Sequence, residues 1–503
     1  MLNPLSLQKL LPLAFALLLT AVSAKERWYI AETENLLVYS NASKAQTKAT
    51  IADLLNIQNT LALVLPNLSE RRNKKIRVFI AKNASTIRRF SSLYNGKPKS
   101  IGGMFARDYE GDLILISSEG EFDETRSIVY HEYVHFLTTT RKFYLPPWLS
   151  EGIAETFSTI EFSKKGAKVG LAEPWRVTTL RSNKLIPFER FFHVTRSSPE
   201  YNSSNHGRGT FYAQSWALVH YFMFGQHDLP KDAFSKLVGL TSQNQFIDNS
   251  AFQEITGIDF EELGKRISRY VSRGRYHYQL YQIPELDDVS YELRTASEGE
   301  VELIHGMILL RTRSPSDAYP HIIRAYELLP ESPRAAAYYG YYLYSKKLYD
   351  FAAEKFQEAI DRGSQTAADY LFSASSRIRS EHPDQQSGGS FYDKEETIKL
   401  LSYLFKAREL GENRDRLYHR IGEVWIGSKV EPQEGHLGAI IEGLRLHQGD
   451  LYLQYCLAYL YHKTNQLEKA EAFVDHALSN PKIGHRRRNF ENLKIRIDRK
   501  QGN

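Results

Sequence analysis

Two short motifs between residues 131 and 155 constrain this chain more than any other feature. The first is His131-Glu132-Tyr133-Val134-His135, and the second is Glu151-Gly152-Ile153-Ala154-Glu155. Two histidines four residues apart lie on one face of a helix, with their Cβ atoms about 5–6 Å apart, so both imidazoles can bind one metal ion. Together the motifs indicate a catalytic zinc site.

Both motifs lie in segments with the pattern of a helix. In residues 123–139, apolar side chains recur at helical spacing at Ile128, Val129, Val134, Phe136 and Leu137. Pro147 suits the first position of a second helix, because the amide hydrogen that proline lacks would be unpaired there anyway. Roughly seven residues connect the two helices, which predicts an antiparallel hairpin.

In an antiparallel hairpin, positions at equal distance from the centre face each other. With the centre near Phe143, His135 and Glu151 each lie eight residues away, and His131 and Glu155 each lie twelve away. Glu151 is therefore predicted beside His135, as the third metal ligand. Glu155 is predicted beside His131, where it would accept a hydrogen bond from the distal imidazole N–H and raise the basicity of that ligand.

Glu132 is left for acid–base chemistry. With His131, His135 and Glu151 as ligands, Zn²⁺ keeps one position for water and lowers the pKa of that water to about 7. Glu132 would take the proton of the water as it attacks a carbonyl carbon, and would pass it to the departing amine. The alternative is a buried helix with two hydrogen-bonded histidines and carboxylates at the surface.

These residues resemble the gluzincins, the zinc peptidase clan that includes thermolysin and the aminopeptidase N family. Residues 148–155, Trp148-Leu149-Ser150-Glu151-Gly152-Ile153-Ala154-Glu155, are similar to the Trp-Leu-x-Glu-Gly-x-Ala stretch of the aminopeptidase branch. Over residues 26–275 the chain resembles the bacterial peptidase MA-like proteins, which pair such a domain with helical repeats. The resemblance implies an α+β zincin-like fold, Zn²⁺ as cofactor, and a peptide or protein substrate. Aminopeptidase specificity is not implied, because the Gly-Ala-Met-Glu-Asn motif is absent and the connection between the ligand helices is shorter than in thermolysin.

In gluzincins a later helix supplies a Tyr or His that stabilises the tetrahedral oxyanion. Tyr212 has the corresponding position, in a predicted helix over residues 209–222. Its phenol can donate a hydrogen bond where negative charge develops. Tyr201 and His206, in the preceding segment, are the alternatives, and an ordinary core position for Tyr212 stays open.

Gluzincins also present an edge strand, to which an extended peptide adds by backbone hydrogen bonds. Residues 101–106 are the candidate strand, with Gly102, Gly103 and Met104 as substrate-binding residues. The alternative is a β-bulge at the two glycines. Further strands are predicted at residues 36–39, 76–80 and 113–117, and helices at 44–65 and 85–93. This half is therefore predicted to be a small mixed sheet packed on helices.

From about residue 298 a different pattern begins. Gly306, Ala318, Ile322, Ala325 and Pro330 fall at the same offsets as Gly340, Ala352, Phe356, Ala359 and Ser364, a shift of thirty-four residues. This shift is the tetratricopeptide period, and further units near Ala407, Gly443 and Ala477 predict about five repeats in an all-α solenoid. Such a surface binds an extended peptide or a partner protein. A generic helical bundle is the alternative.

The first 24 residues are interpreted as a cleaved signal peptide. Lys9 precedes an apolar run over residues 10–22, and Ala24 ends a small-residue cleavage site. An uncleaved anchor is the alternative, although the run is short for spanning a bilayer. No later segment is long and apolar enough to span a membrane. Because Cys456 is the only cysteine, we expect no internal disulfide, and a bacterial periplasm is favoured over secretion into the medium.

A length of 503 residues with 42% apolar content predicts two or three domains with real cores. We expect a signal peptide at 1–24, a metallopeptidase domain at 25–275, a linker at 276–297 and a repeat domain at 298–503. The net charge of +6 is concentrated in two basic clusters without a nucleic-acid motif, so no nucleic-acid partner is predicted. The favoured function is an exported zinc endopeptidase whose repeats recruit substrate or a partner protein. The alternative is a catalytically degenerate scaffold in a periplasmic complex.

Overall fold

The computed structural model describes residues 26–66, 75–91, 93–94, 97–98, 103–107, 109–119, 124–138, 145–195, 198–202, 206–242, 247–283, 290–381, 391–447, 449–480 and 483–502. The predicted signal peptide lies outside these residues. Among the residues described, no helix has both the length and the apolar character needed to cross a membrane.

The first half contains strands and helices in alternation. The strands in the described residues are β1 (Tyr29–Glu32), β2 (Leu36–Ser40), β3 (Ile76–Ala81), β4 (Leu93–Tyr94), β5 (Lys97–Pro98), β6 (Gly103–Arg107), β7 (Asp112–Ser117), β8 (Glu161–Ser163), β9 (Gly166–Val169), β10 (Gln279–Tyr281) and β11 (Leu293–Thr295). The helices of this half are α1 (Lys44–Val64), α2 (Ala84–Phe90), α3 (Glu124–Thr138), α4 (Pro147–Ser158), α5 (Pro174–Ser182), α6 (Phe188–Phe191), α7 (Pro199–Asn202), α8 (His206–Phe224), α9 (Ala233–Ser242), α10 (Asn249–Thr256) and α11 (Phe260–Arg273).

A six-stranded mixed sheet forms the centre of this half. Its strands lie in the order β11-β1-β2-β3-β7-β6. The β2–β3 and β3–β7 pairs are parallel, and the other pairs are antiparallel. The predicted small mixed sheet is thus confirmed, and the predicted strands at 36–39, 76–80, 101–106 and 113–117 correspond to β2, β3, β6 and β7.

Both faces of this sheet are buried. Successive side chains of a strand point to opposite faces. Val38, Val78 and Ile114 pack on one face, in a core shared with α1, α3 and α4. Phe79 and Leu115 pack on the other face, in a core shared with the helices of the second half. The central strands are apolar almost throughout because neither face meets solvent.

The segment at 276–297, interpreted from the sequence as a linker, contributes strands to two sheets. β10 pairs with β9 of a three-stranded sheet, and β11 pairs with β1 at the edge of the six-stranded sheet. Each strand has only three residues, which is too short for an alternating pattern to predict it. The chain therefore returns to the first half before it enters the repeats.

The second half consists of consecutive helix pairs followed by a terminal helix. In the residues described these are α12 (Glu298–Thr312), α13 (Pro315–Leu328), α14 (Pro333–Ser345), α15 (Tyr349–Asp361), α16 (Ala367–Glu381), α17 (Lys394–Glu409), α18 (Asp415–Gly427), α19 (Gly438–Leu446), α20 (Leu451–Lys463), α21 (Leu467–Leu478) and α22 (Arg487–Gln501). Within the described residues each helix packs on its neighbours in the chain, which makes a tetratricopeptide-like helical region of five pairs. The prediction of paired helices in a solenoid is confirmed at this level.

The small residues of the 34-residue pattern lie where the two helices of a pair cross. A Cβ atom on Gly306 would lie 2.6 Å from Cγ1 of Ile322, and one on Gly340 would lie 3.0 Å from the ring of Phe356. A larger residue at either position would push the pair apart. The repeated glycine is therefore a packing requirement of the helix pair.

A buried charged cluster joins the sheet to the repeats. Glu110, in the β6–β7 turn, places Oε2 at 2.7 Å from Nη1 of Arg77 on β3 and at 2.7 Å from Nη2 of Arg334 on α14. Tyr338 on α14 donates its hydroxyl to the same oxygen at 2.8 Å. Burial alone would raise the pKa of Glu110, but the two guanidinium groups outweigh it and hold the pKa at about 2.

We expect Glu110→Gln to lower the free energy of unfolding by about 3–5 kcal/mol, because Arg77 and Arg334 would stay buried without a carboxylate. Urea unfolding at pH 7 measures this, with Glu32→Gln, which removes an exposed ion pair to Lys75, as a control that changes stability by less than about 1 kcal/mol. The carboxylate has a folded-state pKa below its ordinary 4.5, so its contribution is full above pH 4.5 and is lost as the pH falls towards 2. Equal stability of wild type and Glu110→Gln at pH 7 would contradict the assignment.

Candidate metal centre

Helices α3 and α4 pack against each other and bring the two motifs together. Every residue of α4 is buried, and on α3 the side chains of Val129, Val134, Phe136 and Leu137 are buried as predicted. Ile128, which was expected on the same apolar face, is 51% exposed. It lies at the solvent edge of the helix, one position outside the stripe that contacts the core.

Gly152 sets how closely α4 approaches α8. A Cβ atom at this position would lie 2.6 Å from the carbonyl oxygen of Ser215 and 2.4 Å from Cγ2 of Val219, both on α8. Since neither distance is possible for a real side chain, only glycine allows this contact. The neighbouring Glu151 is thereby held inside the helical layer, with 3% of its side chain exposed.

Three donor atoms converge between α3 and α4. Nε2 of His131 lies 3.0 Å from Nε2 of His135, and Oε2 of Glu151 lies 3.3 Å and 3.2 Å from these two nitrogens. In a tetrahedral site with bonds of about 2.0–2.1 Å, ligand atoms are about 3.3 Å apart. The three side chains therefore have the spacing needed to hold one metal ion and to leave a fourth position open.

Each of the two histidines has a second contact on its far side. Oε1 of Glu155 lies 3.4 Å from Nδ1 of His131, and Oγ of Ser150 lies 3.1 Å from Nδ1 of His135. A proton on each Nδ1 can be donated to these oxygens, which leaves both Nε2 lone pairs for a metal. The expected placement of Glu151 beside His135 and of Glu155 beside His131 is present in the structure, whereas the contact of Ser150 was not predicted.

Tyr201 fixes the carboxylate of Glu151. Its hydroxyl, on the short helix α7, donates a hydrogen bond of 2.8 Å to Oε1 of Glu151. To act as the alternative oxyanion donor, Tyr201 would have to give up this hydrogen bond to the third ligand. Oε1 is bound in this way, so Oε2 is the oxygen directed at the histidines.

The electrostatics of the cluster favour positive charge. Burial alone would raise the pKa of Glu151, yet hydrogen bonds from His131 and His135 hold this pKa well below its usual range. Burial would lower the pKa of His131, but Glu151 and Glu155 outweigh it and raise the pKa. Two carboxylates next to two imidazoles thus create a site whose field stabilises a cation.

Arg176 holds Glu155 from the opposite side. Its Nε donates to Oε2 of Glu155 at 2.8 Å, and its Nη2 donates to Oε1. The guanidinium stacks on the ring of Trp175 at 3.5 Å and lies 5.5 Å from the ring of Tyr212. Because both members of the pair are buried, this two-point contact fixes the orientation of Glu155 towards His131. Arg176 lies on α5, and nothing in its local sequence marks it.

The two predicted catalytic residues lie close to His131. Glu132 follows His131 on α3, is half-buried and contributes to the raised pKa of His131. The ring of Tyr212 lies nearly parallel to that of His131, with ring centroids 6.3 Å apart. Tyr212 is also largely buried, so its position is compatible with both the catalytic and the core interpretation. His206 begins α8, and its side chain lies outside the described residues.

The candidate substrate strand is β6, at one edge of the six-stranded sheet. Gly103 pairs with Ile116 and Met104 with Leu115 on the antiparallel neighbour β7, and α3 packs against β6. Gly102 lies outside the residues described. The strand therefore lies beside the helix that carries the histidines, and its other edge has no neighbouring strand in the described part of the chain.

Residues 126–248 match a protein family described as "Protein of unknown function (DUF1570)". This span contains all the residues of the metal centre. No curated protein matches the chain.

Fourteen chains of solved structures match this chain. One is YrrB, described as a TPR protein with an unusual peptide-binding site, with 16% identity, 40% of this chain and 91% of that chain covered, and a TM-score of 0.31. A second is TTC0263, a thermophilic TPR protein in Thermus thermophilus, with 19% identity, coverage of 39% and 99%, and a TM-score of 0.27. A third is the MamA RS-1 ArsTM double mutant, with 12% identity, coverage of 41% and 97%, and a TM-score of 0.29. TM-scores this low support no argument about this chain. The second half is therefore described from its own helix pairs alone.

We expect Tyr201→Phe to weaken zinc affinity roughly 10–100-fold without unfolding the protein, because Glu151 would lose the hydrogen bond that orients it. Competition against a chromophoric chelator measures the affinity. Tyr276→Phe is the matched control, since the hydroxyl of Tyr276 donates to the backbone oxygen of Val271, away from this centre. An unchanged affinity in Tyr201→Phe would remove Tyr201 from this role.

Proposed function

We propose that this protein is an exported zinc-dependent peptidase of the endopeptidase type, with His131, His135 and Glu151 as the zinc ligands. The observation that carries the proposal is the spacing of 3.0–3.3 Å among the three donor atoms. A structural zinc site normally has four protein ligands, whereas a catalytic site has three and an open position. The donor group found here in the described residues has three members.

A zinc ion bound at this centre would polarise a substrate carbonyl and lower the pKa of a water in the open position. Glu132 accepts the proton of that water as its oxygen attacks the carbonyl carbon of the scissile bond. The same carboxyl then gives the proton to the amine nitrogen as the C–N bond breaks. Tyr212 donates its O–H to the carbonyl oxygen, which gains negative charge in the tetrahedral intermediate.

The surroundings of the centre support this proposal because they hold the ligands in place before substrate binds. Ser150, Glu155 and Tyr201 each contact one ligand on the side away from the other two. A catalytic site needs such pre-organisation, since small displacements of its groups cost much of the rate. β6 is the proposed binding strand for an extended peptide, with Gly103 and Met104 beside α3.

The repeats are proposed to bind a protein partner or to recruit substrate. Part of their surface is already occupied by the protein's own β6–β7 turn, where Tyr109 stacks on Tyr341 with ring centroids 4.9 Å apart. A partner would therefore bind elsewhere on the repeats, and the exposed side chains of Tyr319 and Phe351 are the natural anchors. We propose that the protein acts in the bacterial periplasm, because residues 1–24 have the pattern of a signal peptide.

The experiment that tests the proposal is the substitution Glu132→Gln. We expect this variant to keep its zinc and to lose cleavage of a blocked peptide library by about 10²–10⁴-fold, because the proton acceptor is gone. Elemental analysis gives the zinc content, and mass spectrometry of the library gives the cleavage. Glu161→Gln, which changes an exposed carboxylate on β8, is the control for the loss of one charge. A zinc-loaded wild type that cleaves no peptide would instead favour the scaffold.

We expect Tyr212→Phe to lower turnover by about 10²-fold and to change zinc affinity much less than Tyr201→Phe does, because its hydroxyl is proposed to act on the substrate oxygen and reaches Glu151 only through Tyr201. This is the opposite pattern to that of Tyr201→Phe. Steady-state kinetics on a cleaved library peptide, together with chelator competition, measure both quantities. Normal turnover in Tyr212→Phe would place the oxyanion donor elsewhere.

A further inference from the structure

The first helix pair of the repeats carries a second group of metal-binding side chains. Glu302 and His305 lie on α12 and His321 lies on α13, and one donor atom from each lies within 4.8 Å of the others. Residues three apart share a helix face, so Glu302 and His305 project from the same side of α12. Helical bundles use this Glu-x-x-His spacing to present a carboxylate and an imidazole to one metal.

His305 has an unusual environment for a histidine. It is 9% exposed, and its Nε2 is buried without a hydrogen-bond partner among the described residues. The ring lies between Trp28 and Phe90, with ring centroids 5.1 Å and 5.2 Å away, and 5.2 Å from the ring of His321. A buried polar group without a partner costs about 1–3 kcal/mol. A metal ion would supply the missing partner for this nitrogen, which favours His305 as a ligand over an ordinary core residue.

We propose that Glu302, His305 and His321 form a second divalent-cation site, separate from the candidate metal centre. Nδ1 of His321 lies 2.6 Å from Oε2 of Glu302, so two of the three ligands are already in contact through an N–H···O hydrogen bond that a cation would replace. The side chains of Glu302 and His321 are 27% and 33% exposed, which provides an entry path from solvent. The three donor atoms lie within 4.8 Å of one another, so binding at the ligand spacing of about 3.3 Å would require side-chain rotations.

The donor set selects the class of cation. Two imidazoles and one carboxylate suit Zn²⁺ and similar first-row ions, whereas Ca²⁺ and Mg²⁺ require mainly oxygen ligands. The positive charge of Arg89 acts on His305 and would repel a cation bound there. This repulsion is reduced because Arg89 forms an ion pair with Glu26 at 3.2 Å. Zn²⁺ is therefore the ion with which the site is tested.

The position of the site gives it a structural consequence. Trp28 precedes β1 and Phe90 ends α2, so both belong to the first half of the chain. His305 contacts them from α12, in the first helix pair of the repeats. A bound ion would tie the first helix pair together directly behind the face of the sheet. It would therefore stabilise the junction of the two halves.

A third group of similar composition, Asp415, His419 and Asp450, lacks these features. Nε2 of His419 is bonded to Oδ2 of Asp450 at 2.8 Å, and Oδ1 of Asp450 accepts the backbone N–H groups of Tyr452 and Leu453 at the start of α20. Its one histidine is therefore already bonded, whereas Nε2 of His305 is buried without a partner among the described residues. This group carries no proposal and supplies a matched control.

The test is the zinc content of the full-length protein at saturating zinc, by isothermal titration and elemental analysis. We expect His321→Ala, a partly exposed position, to bind one ion fewer than the wild type, with affinity for that ion reduced by about 100-fold or more. Glu302→Gln should show the same loss, and His419→Ala should bind as many ions as the wild type. Zinc should also raise the unfolding temperature of His131→Ala and fail to do so in His131→Ala/His321→Ala.

Equal zinc content in the wild type and His321→Ala would overturn the second site, as would a loss of one ion in His419→Ala alone. The outcome does not depend on the proposed function. The first centre is reported by the difference between wild type and His131→Ala, and the second by the difference between wild type and His321→Ala. Either difference can be absent while the other is present.

Discussion

Burial of two carboxylates in the layer formed by α3, α4 and α8 is the constraint on which the metal centre depends. Gly152 lets α4 pack directly against the backbone of α8, and this contact places Glu151 and Glu155 where solvent cannot hydrate them. A buried charge that lacks a partner costs several kcal/mol, so each carboxylate must be fully bonded. Glu151 meets this requirement with His131, His135 and Tyr201, and Glu155 meets it with His131 and Arg176. The convergence of the three donor atoms follows from packing and charge together.

The repeats belong to the same core as the sheet. Phe79 and Leu115 on the second face of the sheet pack in one hydrophobic cluster with the helices of the repeats. The β6–β7 turn inserts Glu110 between Arg77 and Arg334, so the edge strand beside the metal centre is anchored at its far end in the second half. The turn that follows β6, the proposed peptide-binding strand, is therefore held by contacts with both halves of the chain. The second half therefore contributes to the support of this edge of the sheet.

Local spacing in the sequence was enough to predict the elements that present the motifs. The histidines four apart, Pro147 at the start of α4 and the 34-residue recurrence of Gly306 and Gly340 each reflect the geometry of one helix or one helix pair. The helix α3 begins and ends within one residue of the predicted 123–139, and α4 begins at Pro147 as predicted. The positions of Glu151 and Glu155 relative to the histidines could be predicted because a short connection makes hairpin positions pair in order.

Contacts between distant segments could not be predicted in the same way. Tyr201 reaches Glu151 from fifty residues downstream, and Arg176 reaches Glu155 from another helix, so no local pattern marks either residue. The strands β10 and β11 are held by their partner strands and not by their own three-residue sequences, so the sequence of 276–297 predicts only a linker. Ile128 fits the helical period but lies beyond the width of the contact, since periodicity gives the direction of a face and not its extent.

The most direct test of the central claim is anomalous diffraction at the zinc absorption edge from crystals of the zinc-loaded protein. The account predicts a peak between α3 and α4 with Nε2 of His131, Nε2 of His135 and a carboxylate oxygen of Glu151 at about 2.0–2.2 Å. The fourth position should hold only a solvent molecule. A map without a peak at these three atoms, or with the carboxylate of Glu151 outside bonding distance, would contradict it.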